Sequence, residues 1–137
     1  MNKLPNWQAM FDSFVEHNNF AFKWGQNDCC KFSNALIKQI TGEDLIPKNL
    51  KWHDETSAMK AIESYGGDLE TSIEKACNAK GVGEINKAYM TCGDLVVYEQ
   101  NGSSLVGMCN GFGILTPTDD GINVVDCSLA HRVWRFD

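Results

Sequence analysis

What the chain lacks narrows it first. Its 137 residues hold 12 Lys and Arg against 18 Asp and Glu, a formal net charge of -6, whereas a protein that gains affinity by neutralising phosphates needs clustered cations. No nucleic acid partner is expected. No apolar run approaches the roughly 20 residues of a membrane-spanning helix, so no membrane insertion is expected either. The start, Met1-Asn2-Lys3-Leu4-Pro5-Asn6-Trp7, has one cation but no unbroken apolar stretch behind it and does not read as a secretory leader. The expectation is a soluble protein, cytoplasmic in the cell that produces it. None of the six cysteines, Cys29, Cys30, Cys77, Cys92, Cys109 and Cys127, forms a Cys-x-x-Cys pair, and no His lies at zinc-finger spacing. Neither a metal nor a cofactor is expected, and the thiols are read as reduced. Histidine is scarce: the chain offers only His17, His53 and His131.

What is present is enough for one folded unit. A composition 43% hydrophobic and 22% charged is that of one globular domain over residues 1–137 with a real core. Trp7, Met10, Phe11, Phe14 and Val15 fall on one face of a 3.6-residue period behind the cap candidate Asn6. A second helix, capped by Asn27 or Asp28, runs to Ile40 with the stripe Phe32, Leu36, Ile37 and Ile40, and Thr41-Gly42 stops it. After Pro47 and a polar loop, a third helix covers about Thr56 to Tyr65, with Ala58, Ala61, Ile62 and Tyr65 as its stripe. A fourth starts at the cap Asp68 with Leu69, Ile73, Ala76 and Cys77 inward and a left-handed stop at Gly81. Beyond Gly83 the period changes to 2. Runs at 95–99, 105–108, 112–115, 122–125 and 132–136 read as a meander of antiparallel strands, with Asn101-Gly102, Asn110-Gly111 and Asp119-Asp120-Gly121 as turns. Helices first and strands second predict an α+β fold in which N-terminal helices pack on a C-terminal antiparallel sheet.

One segment invites chemistry. If Asp28 caps the second helix, Cys29 is its first residue, where free backbone N–H groups and the helix dipole favour a thiolate. At about 100° per residue, Cys29 shares the inward stripe with Phe32, Ser33, Leu36 and Ile40, while Cys30 falls at its edge. Cys29 is therefore the candidate nucleophile and Cys30 a packing residue. Asp28 opposes the thiolate by its charge, and the plain alternative is a core cysteine. The same plain reading covers Cys77, Cys92, Cys109 and Cys127. Trp24 has a structural reading as a hydrophobic staple, and Gly25 as a tight turn. Asp119-Asp120 is too short of ligands for calcium, and Gly107, Gly111 and Gly113 do not open a helix as a phosphate loop would. Trp134 and Phe136 alternate with Val133 and Arg135 and point to the core.

Phe22-x-Trp24-Gly25-x-x-Asp28-Cys29 before an amphipathic helix, with Gly93-Asp94-Leu95-Val96-Val97 much later, resembles the NlpC-type branch of the papain-like cysteine peptidases. The order Trp-Gly-x-x-Asp-Cys, Thr41-Gly42-x-Asp44, Gly93-Asp94 and Trp134-Arg135 is similar to small proteins encoded among phage and prophage tail genes. Together these motifs span about residues 20 to 136. The resemblance implies a papain-like NlpC-type fold, a nucleophile at Cys29, and a histidine on the sheet that activates it. That histidine opens a His-Val-Gly-Ile run in the peptidases. Here the run is Leu105-Val106-Gly107-Met108, and leucine accepts no proton. His131 and His53 are the remaining candidate bases, His17 being placed to stabilise the end of its own helix. Trp24, Asp28 and Cys30 are the candidate substrate-binding residues.

Two functions follow. The first is a phage or prophage tail-associated protein, a tail tip or assembly component, that keeps the fold without its catalysis. Its partners would be other tail proteins or cell-wall peptide, and it would be virion-associated. The second is an active thiol peptidase or amidase that cleaves peptidoglycan peptide crosslinks through Cys29. Leu105 favours the first. A redox role for Cys29 and Cys30 ranks behind both for want of a resolving Cys-x-x-Cys.

Overall fold

Helix starts and stops are encoded locally, and most fall where the caps put them. The computed structural model describes residues 1–137. It has four helices, α1 (Trp7–His17), α2 (Cys29–Thr41), α3 (Glu55–Tyr65) and α4 (Leu69–Ala79), and six strands. The strands are β1 (Gly83–Ile85), β2 (Leu95–Gln100), β3 (Ser103–Cys109), β4 (Ile114–Thr118), β5 (Gly121–Val125) and β6 (Ala130–Arg135). Asp28, Asp54 and Asp68 each accept a backbone N–H three residues on, which satisfies one free donor of the first turn. In α3, Asp54 and Ser57 cap each other reciprocally, a device the spacing reading did not reach. Asn6 precedes α1 without a side-chain cap bond, so the expected cap there is corrected. Gly42 closes α2 in the left-handed region at φ 81, where any Cβ would be strained.

The α+β architecture holds, and the sheet is more than the meander predicted. All pairs are antiparallel in the order β1-β6-β2-β3-β4-β5. Strands β2 to β5 run as consecutive neighbours, but β6 returns to pair with β2 and carries β1 on its outer side. The two-residue turn Asn101-Gly102 takes positive φ at both positions, 54 and 77, as a tight antiparallel turn demands. Phe112, expected to open a strand, lies in the turn before β4 and is 90% exposed. The turn is built by Asn110, whose Oδ1 accepts both Phe112 N and Gly113 N.

Alternation sends successive strand residues to opposite faces. Leu95, Val97, Val106, Met108, Leu115 and Trp134 form the larger core with Phe11 of α1 and Phe32, Leu36, Ile37 and Ile40 of α2. Each of these α2 side chains is fully buried, worth about 1.5–3 kcal/mol apiece against exposure. Val96, Tyr98, Cys109, Ile114, Ala130 and Val133 make a second cluster. Both faces of β2 are therefore covered, and its sequence reads as an unbroken apolar run. Cys77 and Cys109 are buried as expected of core cysteines, whereas Cys92 is only partly buried and Cys127 is exposed; all six thiols are free. No helix is long and apolar enough to cross a membrane.

Two polar clusters tie the chain's end to its body. Arg135 makes a bidentate pair with Asp94, Nε to Oδ1 at 3.0 Å and Nη2 to Oδ2 at 2.8 Å, and Asp94 is fully buried. Arg132 binds Glu84 of β1 together with Glu70 and Glu74 of α4, fastening a helix to the sheet edge.

Candidate functional site

The site begins with the carboxylate that starts α2. Asp28 is 1% exposed and its oxygens are used three times. Oδ1 accepts Lys31 N at 2.9 Å, and Oδ2 accepts Gly25 N at 2.9 Å and Trp52 Nε1 at 2.8 Å. The Trp52 bond brings the 47–55 loop onto the start of α2, where Lys31 Nζ then lies 4.3 Å from the Trp52 ring centre, within cation–π range. Gly25 has to be glycine for two reasons. Its φ is 78, and a Cβ there would sit 2.6 Å from His53 Cα.

Cys29 follows Asp28 as the first residue of α2, partly exposed. Two clefts meet at it. One, of about 610 Å³, is lined by Trp24, Trp52, Met59, Ile62 and Leu69, with the acids Asp28, Glu63 and Asp68. The other, of about 410 Å³, is more polar and includes Tyr98, Gln100, Thr116 and Asn123. Cys29 and Leu105 line both. Cys30 lines the larger cleft and a narrow crevice behind it, but not the polar one. The angular separation on the helix thus divides the two thiols as the sequence predicts.

The thiols also differ in ionisation. The adjacent Cys30 thiol does most to hold the Cys29 pKa below its ordinary value. Burial works against it, Val106 N–H helps, Asp28 opposes, and Cys30 N–H adds a little. Cys30 is pushed well above the ordinary value, because it serves Cys29 as donor and is itself buried. Burial raises Cys77 to about 12 and Cys92 to about 11, and raises Cys109 too. Cys29 alone among these is shifted towards the thiolate.

No imidazole joins it. His17 Nδ1 lies 2.7 Å from Ser13 O on its own helix. The side chain of His53 is 85% exposed, with Nε2 3.5 Å from Asp54, and His131 Nε2 is 3.2 Å from Glu70. None of the three lines either cleft. Of the candidate bases, then, His53 is turned out to solvent and His131 is engaged with α4. Trp24, Asp28 and Cys30 do come together with Cys29 along the larger cleft.

Sequence reasoning missed two contributors. Trp52 sat in what read as a polar loop, and only its indole N–H, reaching 24 positions back to Asp28, makes it part of the wall. Tyr98 is buried with its hydroxyl donating to Thr116 Oγ1 at 2.9 Å, and its pKa is raised by burial, with a smaller push from the charge of Cys29. Nothing in an apolar strand run marks such a tyrosine. No group of three or more His, Cys, Asp or Glu converges as metal ligands.

These elements define a class: an α+β domain with an ionisable cysteine at a helix start, set where two clefts meet beside an antiparallel sheet. The chain belongs to the family described as Domain of unknown function (DUF6950), whose model matches residues 2–136. No curated protein matches it.

Proposed function

We propose that the protein is a phage or prophage tail-associated component, a tail tip or assembly protein. On this reading its papain-like, NlpC-type domain keeps the nucleophile's place and the cleft but binds rather than cuts. One observation carries the loss of catalysis: Leu105, not an imidazole, shares the meeting point of the two clefts with Cys29. Cleaving an amide requires a proton donor for the leaving amine as well as a nucleophile. Leucine supplies neither proton transfer nor a hydrogen bond. The fold reading is supported by the order of elements, with the cysteine-bearing helix packed on β3 and the residue expected to be histidine, now Leu105, beside Cys29. The tail setting, virion association, and partners among other tail proteins or cell-wall peptide rest on the resemblance carried by Trp24-Gly25, Asp28-Cys29, Gly93-Asp94 and Trp134-Arg135.

The competing reading, a thiol peptidase or amidase acting on peptidoglycan crosslinks, draws on the downward shift of the Cys29 pKa. Incubating purified peptidoglycan with wild type and with Cys29→Ser separates the two. No soluble muropeptide from either is expected, with protein retained on the sedimented wall or on purified tails. Fragments released by wild type and not by Cys29→Ser would establish the peptidase instead.

A further inference from the structure

We propose that Cys29 is a self-acylation site, which takes an apolar acyl group from a neutral acyl thioester and retains it with the chain lying in the larger cleft. The proposal rests on the reading that no imidazole stands beside Cys29 to move protons.

Shape and polarity select the occupant. The cleft of about 610 Å³ falls in the range of small-molecule sites, and Cys29 lies where an acyl carbon bonded to sulfur would enter it. A second, smaller apolar space of about 40 Å³ shares Cys30, Trp52, Ile62 and Leu69 with it and adds Ile46, Leu50 and Tyr65. The apolar side chains that line the two spaces, Trp24, Met59, Leu69, Leu50 and Tyr65 among them, suit a hydrocarbon chain. No Lys or Arg lines either space, while Glu63 and Asp68 line the cleft. A free carboxylate or a phosphate-bearing donor would meet like charge there and no counter-ion. The acyl group has to arrive uncharged, as a thioester of a neutral thiol.

The missing base decides which acyl donors react. The Cys29 thiol gives its proton to solvent, and its sulfur attacks the thioester carbonyl. A new Sγ–C bond forms as the donor's C–S bond breaks. The electron pair leaves on the donor sulfur, which takes a proton from water. A departing thiol leaves without help because its pKa lies near ambient pH, whereas an amine leaving from an amide has to be protonated as it goes. The N–H groups of Cys29 and Cys30 lie ahead of the first helical donor of α2, Phe32 N to Asp28 O, and favour the oxyanion, Lys31 N being taken by Asp28 Oδ1. Release by water would need a base to activate it; Leu105 is none, and the Asp28 and Asp68 carboxylates are held by the N–H groups they accept. The acyl group therefore stays.

Full-length protein incubated with the octanoyl thioester of N-acetylcysteamine, followed by intact mass and peptide mapping, tests this. One octanoyl group on Cys29 is expected, persisting after excess donor is removed and absent in both Cys29→Ser and Cys29→Ala. The acetyl thioester, with the same reacting bond, should label at least about tenfold more slowly, since burial of each added methylene favours the longer chain. Equal rates for the two donors, or labelling spread over Cys127, would overturn the cleft-bound acyl group. No adduct and no hydrolysis would overturn the proposal and leave the binding function standing. Continuous release of octanoate dependent on Cys29 would overturn both, because it requires the proton transfer that the proposed function denies.

Discussion

Asp28 and Asp94 are both buried carboxylates in short motifs, 1% and 0% exposed, and they are satisfied in opposite ways. Asp94 is held by a guanidinium through two charge-assisted bonds, with Thr91 N as a further donor. Asp28 has only neutral donors, Gly25 N, Lys31 N and Trp52 Nε1. The first arrangement is a lock whose charge is cancelled where it lies. The second organises a helix start, a turn and a loop, but leaves its negative charge to act on the neighbouring sulfur. Neutral donors suffice for a helix cap, as Asp54 and Asp68 also show, and what sets Asp28 apart is its burial beside a thiol. The Asp28 side thus combines a structural role with control of an ionisable thiol.

Breaking the lock should cost most. Arg135→Ala strands the Asp94 carboxylate, and urea unfolding should report a loss of about 2–4 kcal/mol. That is slightly below the figure for a fully buried pair because the Arg135 head is partly exposed. A loss under about 1 kcal/mol would make the pair an ordinary surface contact. Gly25→Ala comes next, at about 1–3 kcal/mol, since the residue sits at φ 78 against the His53 backbone. It should also lift Trp52 from Asp28, seen as a change in tryptophan emission. Asp28→Asn removes the charge but puts an NH2 where a carboxylate oxygen accepted, so at least one of Gly25 N, Lys31 N and Trp52 Nε1 loses its buried partner, and stability should fall by about 1–3 kcal/mol. Its informative effect is on Cys29, whose alkylation midpoint should move to lower pH, because Asp28 is among the groups that raise that pKa. An upward move would mean that the cap geometry, not the charge, governs the thiol.

The smallest effect belongs to the exposed caps. The Asp54 carboxyl is held below its ordinary value by the Ser57 hydroxyl and then the Ser57 N–H, and Asp68 by Thr71 N–H. A depressed folded pKa gives stability that is present above the unfolded value and is lost as pH falls through the folded one. Acid melts should show this as a shallow loss below about pH 4, reduced in the double variant Asp54→Asn, Asp68→Asn. An undiminished slope would assign the acid sensitivity to other carboxylates.

What could be read from the sequence was whatever neighbours in the chain decide. The Asp28 cap, the α2 stripe from Phe32 to Ile40, the Gly42 stop and the separation of Cys29 from Cys30 all depend on residues within a few turns, and all are present. Trp134 and Phe136 are buried as expected, although Val133, which alternates with them, is buried on the other face as well. What depends on distant pairing was not legible. The motif aspartate Asp94 and the closing Arg135 were both visible as residues, but their ion pair spans 41 positions. The return of β6 to β2 spans the whole meander, and β1 is a three-residue strand that exists only because β6 offers an edge. Trp52 became part of the site through one bond to Asp28, which no period or capping rule encodes. The site was legible as an address for Cys29 and as Leu105 in the expected histidine's place. Its walls were not.

The most direct measurement is the rate of Cys29 alkylation by iodoacetamide across pH, followed by peptide mapping so that the other five thiols do not contribute. A thiolate favoured by Cys30, Val106 N–H and the start of α2, with no imidazole beside it, should give one inflection below the ordinary thiol range. Leu105→His, measured alongside, should add a second inflection in the histidine range. Two inflections in the wild type would reveal an imidazole partner for Cys29, and a single one at or above the ordinary range would show that its sulfur is not activated; either would contradict the assignment of Cys29 as an activated thiol without a base.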